Sequence, residues 1–248
     1  GTLPGTIPEN TVLQYLSLRA NSIRSQIPSE INQLRKLTHL DLEDNAFTGT
    51  LPGRELAQMT SLSYLFLGKN PLQAGNIPSD LRTLTKLREL SLDSLQLTGT
   101  IPTWIENLSQ LKLLDLRSNE LIGNFDLNIT KLPELNYLLV SDNFLSGRIP
   151  ESLGSRSNLF VVALHHNNIT GNANQICATG IQLLTTDCED VVCPCCTTCC
   201  DGASCYQDLL WDMLEYSRGL WEEDFIRSNY AFNPEILYND KASKGGET

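Results

Sequence analysis

The residues most able to do chemistry lie late in the chain. All eight cysteines fall between Cys177 and Cys205, in the order Cys177, Cys188, Cys193, Cys195, Cys196, Cys199, Cys200 and Cys205. Thiols this closely spaced either oxidise to disulfides or hold zinc as thiolates, and spacing alone does not choose among the pairings. The adjacent pairs Cys195-Cys196 and Cys199-Cys200 make tetrahedral ligation awkward. His165-His166 is a histidine pair, with Asp142 upstream and Asp187 downstream. Successive side chains on a strand point to opposite faces, so these two imidazoles are expected not to share an ion. No metal site and no cofactor is expected. No Ser/His/Asp or Cys/His arrangement sits in a recognisable catalytic context, and there is no phosphate-binding glycine loop. Carboxylates are plentiful, but nothing in the sequence singles out one that is buried and protonated, so catalysis is not expected. Asn107-Leu108-Ser109, Asn128-Ile129-Thr130 and Asn168-Ile169-Thr170 have the pattern of glycan acceptors.

The surrounding composition narrows the partners. The chain has 248 residues, 41% hydrophobic and 19% charged, which is enough for a sizeable core and argues against wholesale disorder. Its net charge of −11 is wrong for nucleic acid or an anionic membrane surface. The charge is unevenly placed: residues 1–176 carry a net −2 and residues 177–248 a net −9. No stretch approaches the ~18 apolar residues that a membrane-spanning helix needs.

Leucine is abundant, 43 residues, and it recurs. In the frame Leu-x-x-Leu-x-Leu-x-x-Asn the asparagines are Asn21, Asn45, Asn70, Asn119, Asn143 and Asn167, with Leu95 in the slot between Asn70 and Asn119. Units open at Leu13, Leu37, Leu62, Leu87, Leu111, Leu135 and Leu159, and a degraded one spans 181–188. Alternating leucines such as Leu40 and Leu42 predict a short strand with one apolar face. One such unit cannot bury that face alone, so its neighbours must stack into a parallel sheet over a continuous leucine core. The asparagine amide can donate to and accept from adjacent coils, forming a ladder. Leu95 breaks that ladder, leaving local carbonyls to find other partners.

The repeat resembles plant-type leucine-rich repeats, with the unit Leu-x-x-Leu-x-Leu-x-x-Asn-x-Leu-x-Gly-x-Ile-Pro, across residues 1–188. Ile27-Pro28, Ile77-Pro78, Ile101-Pro102 and Ile149-Pro150 fill its last two slots, whereas Phe125-Asp126 departs from them. The resemblance implies an α/β fold: a right-handed solenoid with short parallel strands on the concave face and 3-10 or extended segments on the convex face. It also implies a secreted or cell-surface, non-enzymatic receptor-like module that binds a protein or peptide ligand and admits a co-receptor. A monomer is expected. In such a secreted chain the cysteines are expected to form disulfides. Cys177 with Cys188 is the expected tie of the final coil, and a knot from Cys193 to Cys205 lies beyond it. The boundary is placed at 1–188 for the solenoid and 189–248 for a cysteine-rich, partly helical cap. That end is similar to the C-terminal regions of repeat proteins from diatom-like algae.

On such a sheet the residues flanking the core leucines are expected to face solvent. Tyr15, Tyr64, Phe66 and Tyr137, with Leu113 and Leu139, form a discontinuous aromatic and aliphatic patch, and His39 is a further candidate on the same face. Asp41, Glu43, Asp44, Glu89, Asp93 and Asp115 form an acidic band beside it. Exposed aromatic anchors with polar neighbours have the layout of a recognition surface. Two other readings compete: a structural, adhesive or ice-binding surface protein, and an inhibitor of wall-degrading hydrolases. The sequons Asn107 and Asn128 are placed on the convex or lateral surface, and Asn168 is expected to be closely packed. After the cysteines, Leu209, Leu210, Met213, Leu214, Leu220 and Trp221 recur at helical spacing and predict an acidic amphipathic helix. The start at Gly1, inside a repeat, is expected to mark a fragment of a longer chain.

Overall fold

The computed structural model describes residues 1–3, 12–155 and 158–200. All of them belong to one compact unit, Gly1–Cys205. The expected helix at 209–221 and Cys205 lie outside the described residues.

Each repeat contributes one short strand to a long parallel sheet. Its strands, among the described residues, are Tyr15–Ser17, His39–Asp41, Tyr64–Phe66, Glu89–Ser91, Leu113–Asp115, Tyr137–Leu139, Val161–Ala163, Leu183–Thr186 and Thr198–Cys199. The register is strict: Leu16, Leu40, Leu65, Leu90, Leu114, Leu138, Val162 and Leu184 lie side by side. From Leu40 onward this rank is fully buried. A buried leucine contributes about 1.5–3 kcal/mol, so the stack gains its stability coil by coil.

Opposite the long sheet, a second one joins Ile122–Asn124, Phe144–Arg148, Asn168–Asn172 and Val191–Val192, all parallel. A smaller pair, Gly75–Asn76 with Leu97–Thr98, precedes it. Between the sheets run 3-10 turns at Ser29–Gln33, Ser79–Thr83, Thr103–Asn107, Ile129–Lys131 and Glu151–Ser155, and helical turns at Gly53–Leu56 and Asn174–Cys177. Each of the 3-10 turns opening at Ser29, Ser79 and Thr103 follows a proline in extended conformation, whose ring forbids helix before it.

The chain leaves each strand through one residue in the left-handed region. Ala20, Asp44, Lys69, Ser94, Ser118, Asp142 and His166 have φ between 53° and 56°. The next residue is the ladder asparagine, and its amide points inward. Asn143 Nδ2 donates to Leu116 O, Val140 O and Ser141 O at 3.0–3.1 Å, while Leu121 N donates to its Oδ1 at 3.0 Å. At the break, Leu95 enters the apolar core, and Leu72 N, the donor an asparagine there would meet, turns to Asn70 O at 2.8 Å. Asn119 Oδ1 accepts from both Leu95 N and Leu97 N at 3.0 Å. The flaw is absorbed locally, without stranded carbonyls.

The cysteines correct one expectation. They do form disulfides, but Cys177 bonds Cys195, Cys188 bonds Cys199 and Cys193 bonds Cys196. Cys200 is disulfide-bonded as well. Cys177 follows the second-sheet strand Asn168–Asn172, and Cys195 follows its neighbour Val191–Val192. Cys188 follows Leu183–Thr186, and Cys199 lies in the strand paired with it. These two bridges therefore tie one coil to the next rather than closing a coil on itself. Both sheets continue past residue 188 through the strands that the bridges hold.

Candidate binding face

The residues flanking the core leucines form three ranks across the long sheet. Register places Tyr15, His39, Tyr64, Glu89, Leu113, Tyr137 and Val161 in the first. The second holds Ser17, Asp41, Phe66, Ser91, Asp115, Leu139, Ala163 and Thr185. The third follows where the chain leaves each strand: Arg19, Glu43, Gly68, Asp93, Arg117, Ser141 and His165.

The expectation that these side chains stand in solvent needs correction. His39, Asp41, Glu43, Tyr64, Phe66, Asp93, Asp115 and Leu139 are all buried, and Tyr64 at 7% is the most exposed of them. Parallel strands lie only about 4.8 Å apart, so large side chains at one register cover one another. The His39 ring stacks on Tyr15 at 4.3 Å and meets Tyr64 and Phe66 at 5.5 Å each. The aromatic patch is thus packed into itself at one end of the sheet. Tyr15, Glu89 and Tyr137 remain partly exposed, and Tyr137 packs near the exposed Phe160, at 6.4 Å.

The acidic band is a cluster with too little positive charge. Glu43 pairs with Lys69 at 3.2 Å and Arg19 at 4.0 Å. Arg117 grips Asp115 with two hydrogen bonds, Nε to Oδ1 at 2.9 Å and Nη2 to Oδ2 at 2.7 Å. Burial works against the Arg117 charge, but Asp115, with Asp93 and Glu43 behind it, holds the guanidinium pKa above its ordinary value. Asp93 has a hydrogen bond from Ser91 Oγ at 2.8 Å but no cation at ion-pair distance among the described residues. Burial, then the nearby Asp115 and Glu43, push it up to about 6. Gly68 makes the arrangement possible, because a Cβ there would lie 1.9 Å from Asp93 Oδ1. Any side chain at 68 would displace the carboxyl group.

The far end of the third rank holds His165, with His166 beside it, and the alternation expected of the pair does not apply. His166 is not on a strand: its φ of 54° puts it in the left-handed turn, so strand alternation does not separate it from His165. Asp142 occupies the same turn position one coil earlier. The ligand atoms of Asp142, His165 and His166 all lie within 4.8 Å of one another. His166 Nδ1 is 2.7 Å from Asp142 Oδ1. Burial pulls His165 down to about 4 despite the neighbouring Asp142, so it is neutral near pH 7. The signal lies in the repeat frame, where Asp142 and His166 share one slot, but the strand rule obscures it.

Of the sequons, Asn107 and Asn168 are exposed, Asn168 at the start of a second-sheet strand rather than closely packed. Asn128 is half-buried and caps the turn Ile129–Lys131, accepting from Thr130 N at 3.1 Å and Thr130 Oγ1 at 2.6 Å.

Leucine-rich-repeat family models match residues 11–72, 86–108 and 134–155. Receptor-like protein 39 of Arabidopsis thaliana is 36% identical over 121 residues, covering 48% of this chain and 14% of that protein. The plant peptide hormone receptor RGFR1, solved with RGF2, superposes with a TM-score of 0.65 at 32% identity, covering 73% of this chain and 28% of that one. The Arabidopsis receptor kinase HAESA, solved with the peptide hormone IDA and the co-receptor SERK1, gives 0.62 at 34% identity, with 64% and 27% covered. The chain carries leucine-rich repeats similar to those of plant receptor-like proteins and receptor ectodomains. It spans about a seventh of the length of its curated relative and under a third of either solved receptor. Among the described residues no helix is long and apolar enough to cross a membrane.

Proposed function

We propose that this chain is a non-enzymatic, extracellular recognition module whose long-sheet face binds a peptide or protein ligand, with a co-receptor as a further partner. The observation that carries the reading is Asp93, a buried carboxyl group of the third rank with no ion-paired cation among the described residues, on the same long-sheet face as the partly exposed Glu89 and Tyr137 of the first. A basic group on a ligand would supply the missing charge, and the ring of Tyr137 with Phe160 beside it would supply apolar contact. The two solved relatives hold peptide hormones, which supports the same kind of occupant here. Lys69 and Arg19 pair with Glu43 and Arg117 with Asp115, whereas Asp93 keeps only the Ser91 hydroxyl.

The test uses short synthetic peptides that place Lys or Arg beside aromatic or aliphatic residues, titrated into the purified chain by fluorescence anisotropy. Saturable binding that weakens at least about tenfold in Asp93→Asn and in Tyr137→Ala is expected, the scale of one lost anchor. Equal affinity in both variants would refute the reading. Tyr64 and Phe66 are poor probes, because their rings are packed against His39 and their removal would disturb folding.

A further inference from the structure

We infer that Asp142, His165 and His166 form a binding site for a divalent transition-metal ion of the zinc class. Three features of the geometry point there. Two imidazoles and a carboxylate are the donor set that zinc, cobalt and nickel prefer, and hard cations such as magnesium do not. Their ligand atoms already lie within 4.8 Å of one another. His165 supplies the independent sign of a ligand: its Nε2 is buried with no hydrogen-bond partner, and it points into this cluster, 3.9 Å from Asp142 Oδ2. A buried ring nitrogen left without a partner is costly unless something fills the position.

The opposite nitrogen explains why Nε2 is the one presented. His165 Nδ1 lies 2.6 Å from Thr185 Oγ1, one coil onward. With Nδ1–H donating to that hydroxyl, the ring is fixed and the Nε2 lone pair faces Asp142. Metal-binding histidines are held in place by such outer bonds. The backbone beside them is equally constrained, because the Asp187 carboxylate accepts from His166 N at 2.8 Å and from Asn167 N at 3.0 Å. Asp142 and His166 are each about a quarter exposed, which leaves an entry path and freedom to close by the ångström or so that coordination requires. Three protein ligands leave at least one coordination position for water. The clustered sulfurs of Cys177, Cys193 and Cys195 do not compete, because all three are oxidised and disulfide sulfur is a poor ligand.

The experiment titrates Co2+ and Zn2+ into the full chain after chelator treatment, following the visible d–d absorption of Co2+ and the heat of Zn2+ binding. One ion per chain is expected, with no thiolate-to-cobalt charge-transfer band. Asp142→Asn and His166→Asn should each weaken binding by at least about tenfold, the scale seen when metal-site partners are lost. Asparagine is chosen because it tolerates the left-handed backbone at both positions. Circular dichroism of each variant, unchanged from the parent, keeps a loss of binding distinct from a loss of fold. Thr185→Val should weaken binding more mildly without removing a ligand, as expected of a positioning residue. Absence of saturable uptake in the folded parent, uptake that both asparagine variants retain, or a thiolate band would overturn the assignment.

Discussion

The regular coils and the cystine end of the same solenoid meet one physical demand by different means. Every coil must satisfy the donors and carbonyls where its strand turns outward, and must be held to the next coil. In the coils up to Asn167, apart from the break at Leu95, the asparagine ladder does both. Asn119 N and Asn143 N also donate to Asp142 O and His166 O of the following coil at 3.1 Å. After Asn167 the ladder stops, and the Asp187 carboxylate accepts the two amides that would otherwise face no carbonyl. Cystines then take over the coil-to-coil ties. Local amide bonding works where the repeat is intact, and covalent ties replace it where the repeat decays. The largest expected effect breaks the first device. Asn119→Ala removes partners of Leu95 N, Leu97 N, Leu92 O, Leu116 O and Arg117 O at once. It should lower the unfolding free energy on the order of 4 kcal/mol, since each buried orphan costs about 1–3. Asn21→Ala, at an exposed rung that among the described residues reaches Leu18 O and Arg19 O, should cost under about 1 kcal/mol by the same reasoning. Urea melts of the pair measure the contrast.

The second device should break more locally. Replacing Cys177 and Cys195 by alanine removes a bridge of sequence separation 18, worth about 3 kcal/mol by the loop-entropy relation. Hydrogen exchange should rise in the strands Val191–Val192 and Thr198–Cys199 and stay unchanged before Asn143. Uniform acceleration along the chain would mean that the cystines hold more than the last coils.

What is legible in the sequence follows the same division. The repeat frame locates the strands, the buried leucine rank and the ladder, because a period in sequence is a period in space. Leu95 reads as a break, but its repair does not, since that depends on Leu72 N finding Asn70 O. Side-chain exposure is harder to read, because strand alternation states which face Tyr64 or Asp41 occupies, not how tightly neighbouring coils crowd it. Cystine pairing escapes the sequence because proximity along the chain is not adjacency of coils. The strand rule that separates His165 from His166 does not reach the left-handed turn.

Asp93 in the middle of the third rank and His165 at its far end offer a sharper comparison, through pH. Asp93 titrates near 6 against an ordinary 3.8. Between those values the folded chain keeps a proton that the unfolded chain has released, so stability falls as pH rises through that window and stays lowered above it. His165, near 4 against an ordinary 6.5, acts in reverse. There the unfolded chain takes the proton first, so stability falls as pH drops from 6.5 toward 4. The two effects oppose each other over nearly one range, and the parent should show a shallow pH profile. Asp93→Asn should stabilise by about 2 kcal/mol at pH 7. Holding a carboxylate near 6 rather than 3.8 costs roughly 3 kcal/mol there, and part of the gain is lost because Ser91 gives up its charged acceptor. The substitution should also uncover the histidine effect, so that the variant loses stability on acidification to pH 4. A flat profile in the variant would show that His165 does not hold the depressed value.

The smallest expected effects separate the sequons. Asn128 is engaged as the cap of a turn, and Asn128→Gln should cost about 1 kcal/mol, the usual worth of an N-cap. Asn107 and Asn168 are exposed and have no such duty, so Asn107→Gln and Asn168→Gln should each stay within about 0.5 kcal/mol. Expressed through a secretory pathway, the chain should lose one glycan's mass with each of the latter two substitutions. Asn128 should be the least occupied acceptor, because it is half-buried and its side-chain carbonyl is held by Thr130 in the turn. Occupancy at Asn128 equal to that at Asn107 would show that the turn Ile129–Lys131 opens before the chain is modified. Modification would then precede closure of that coil, and the asparagine would be read while the solenoid was still being stacked.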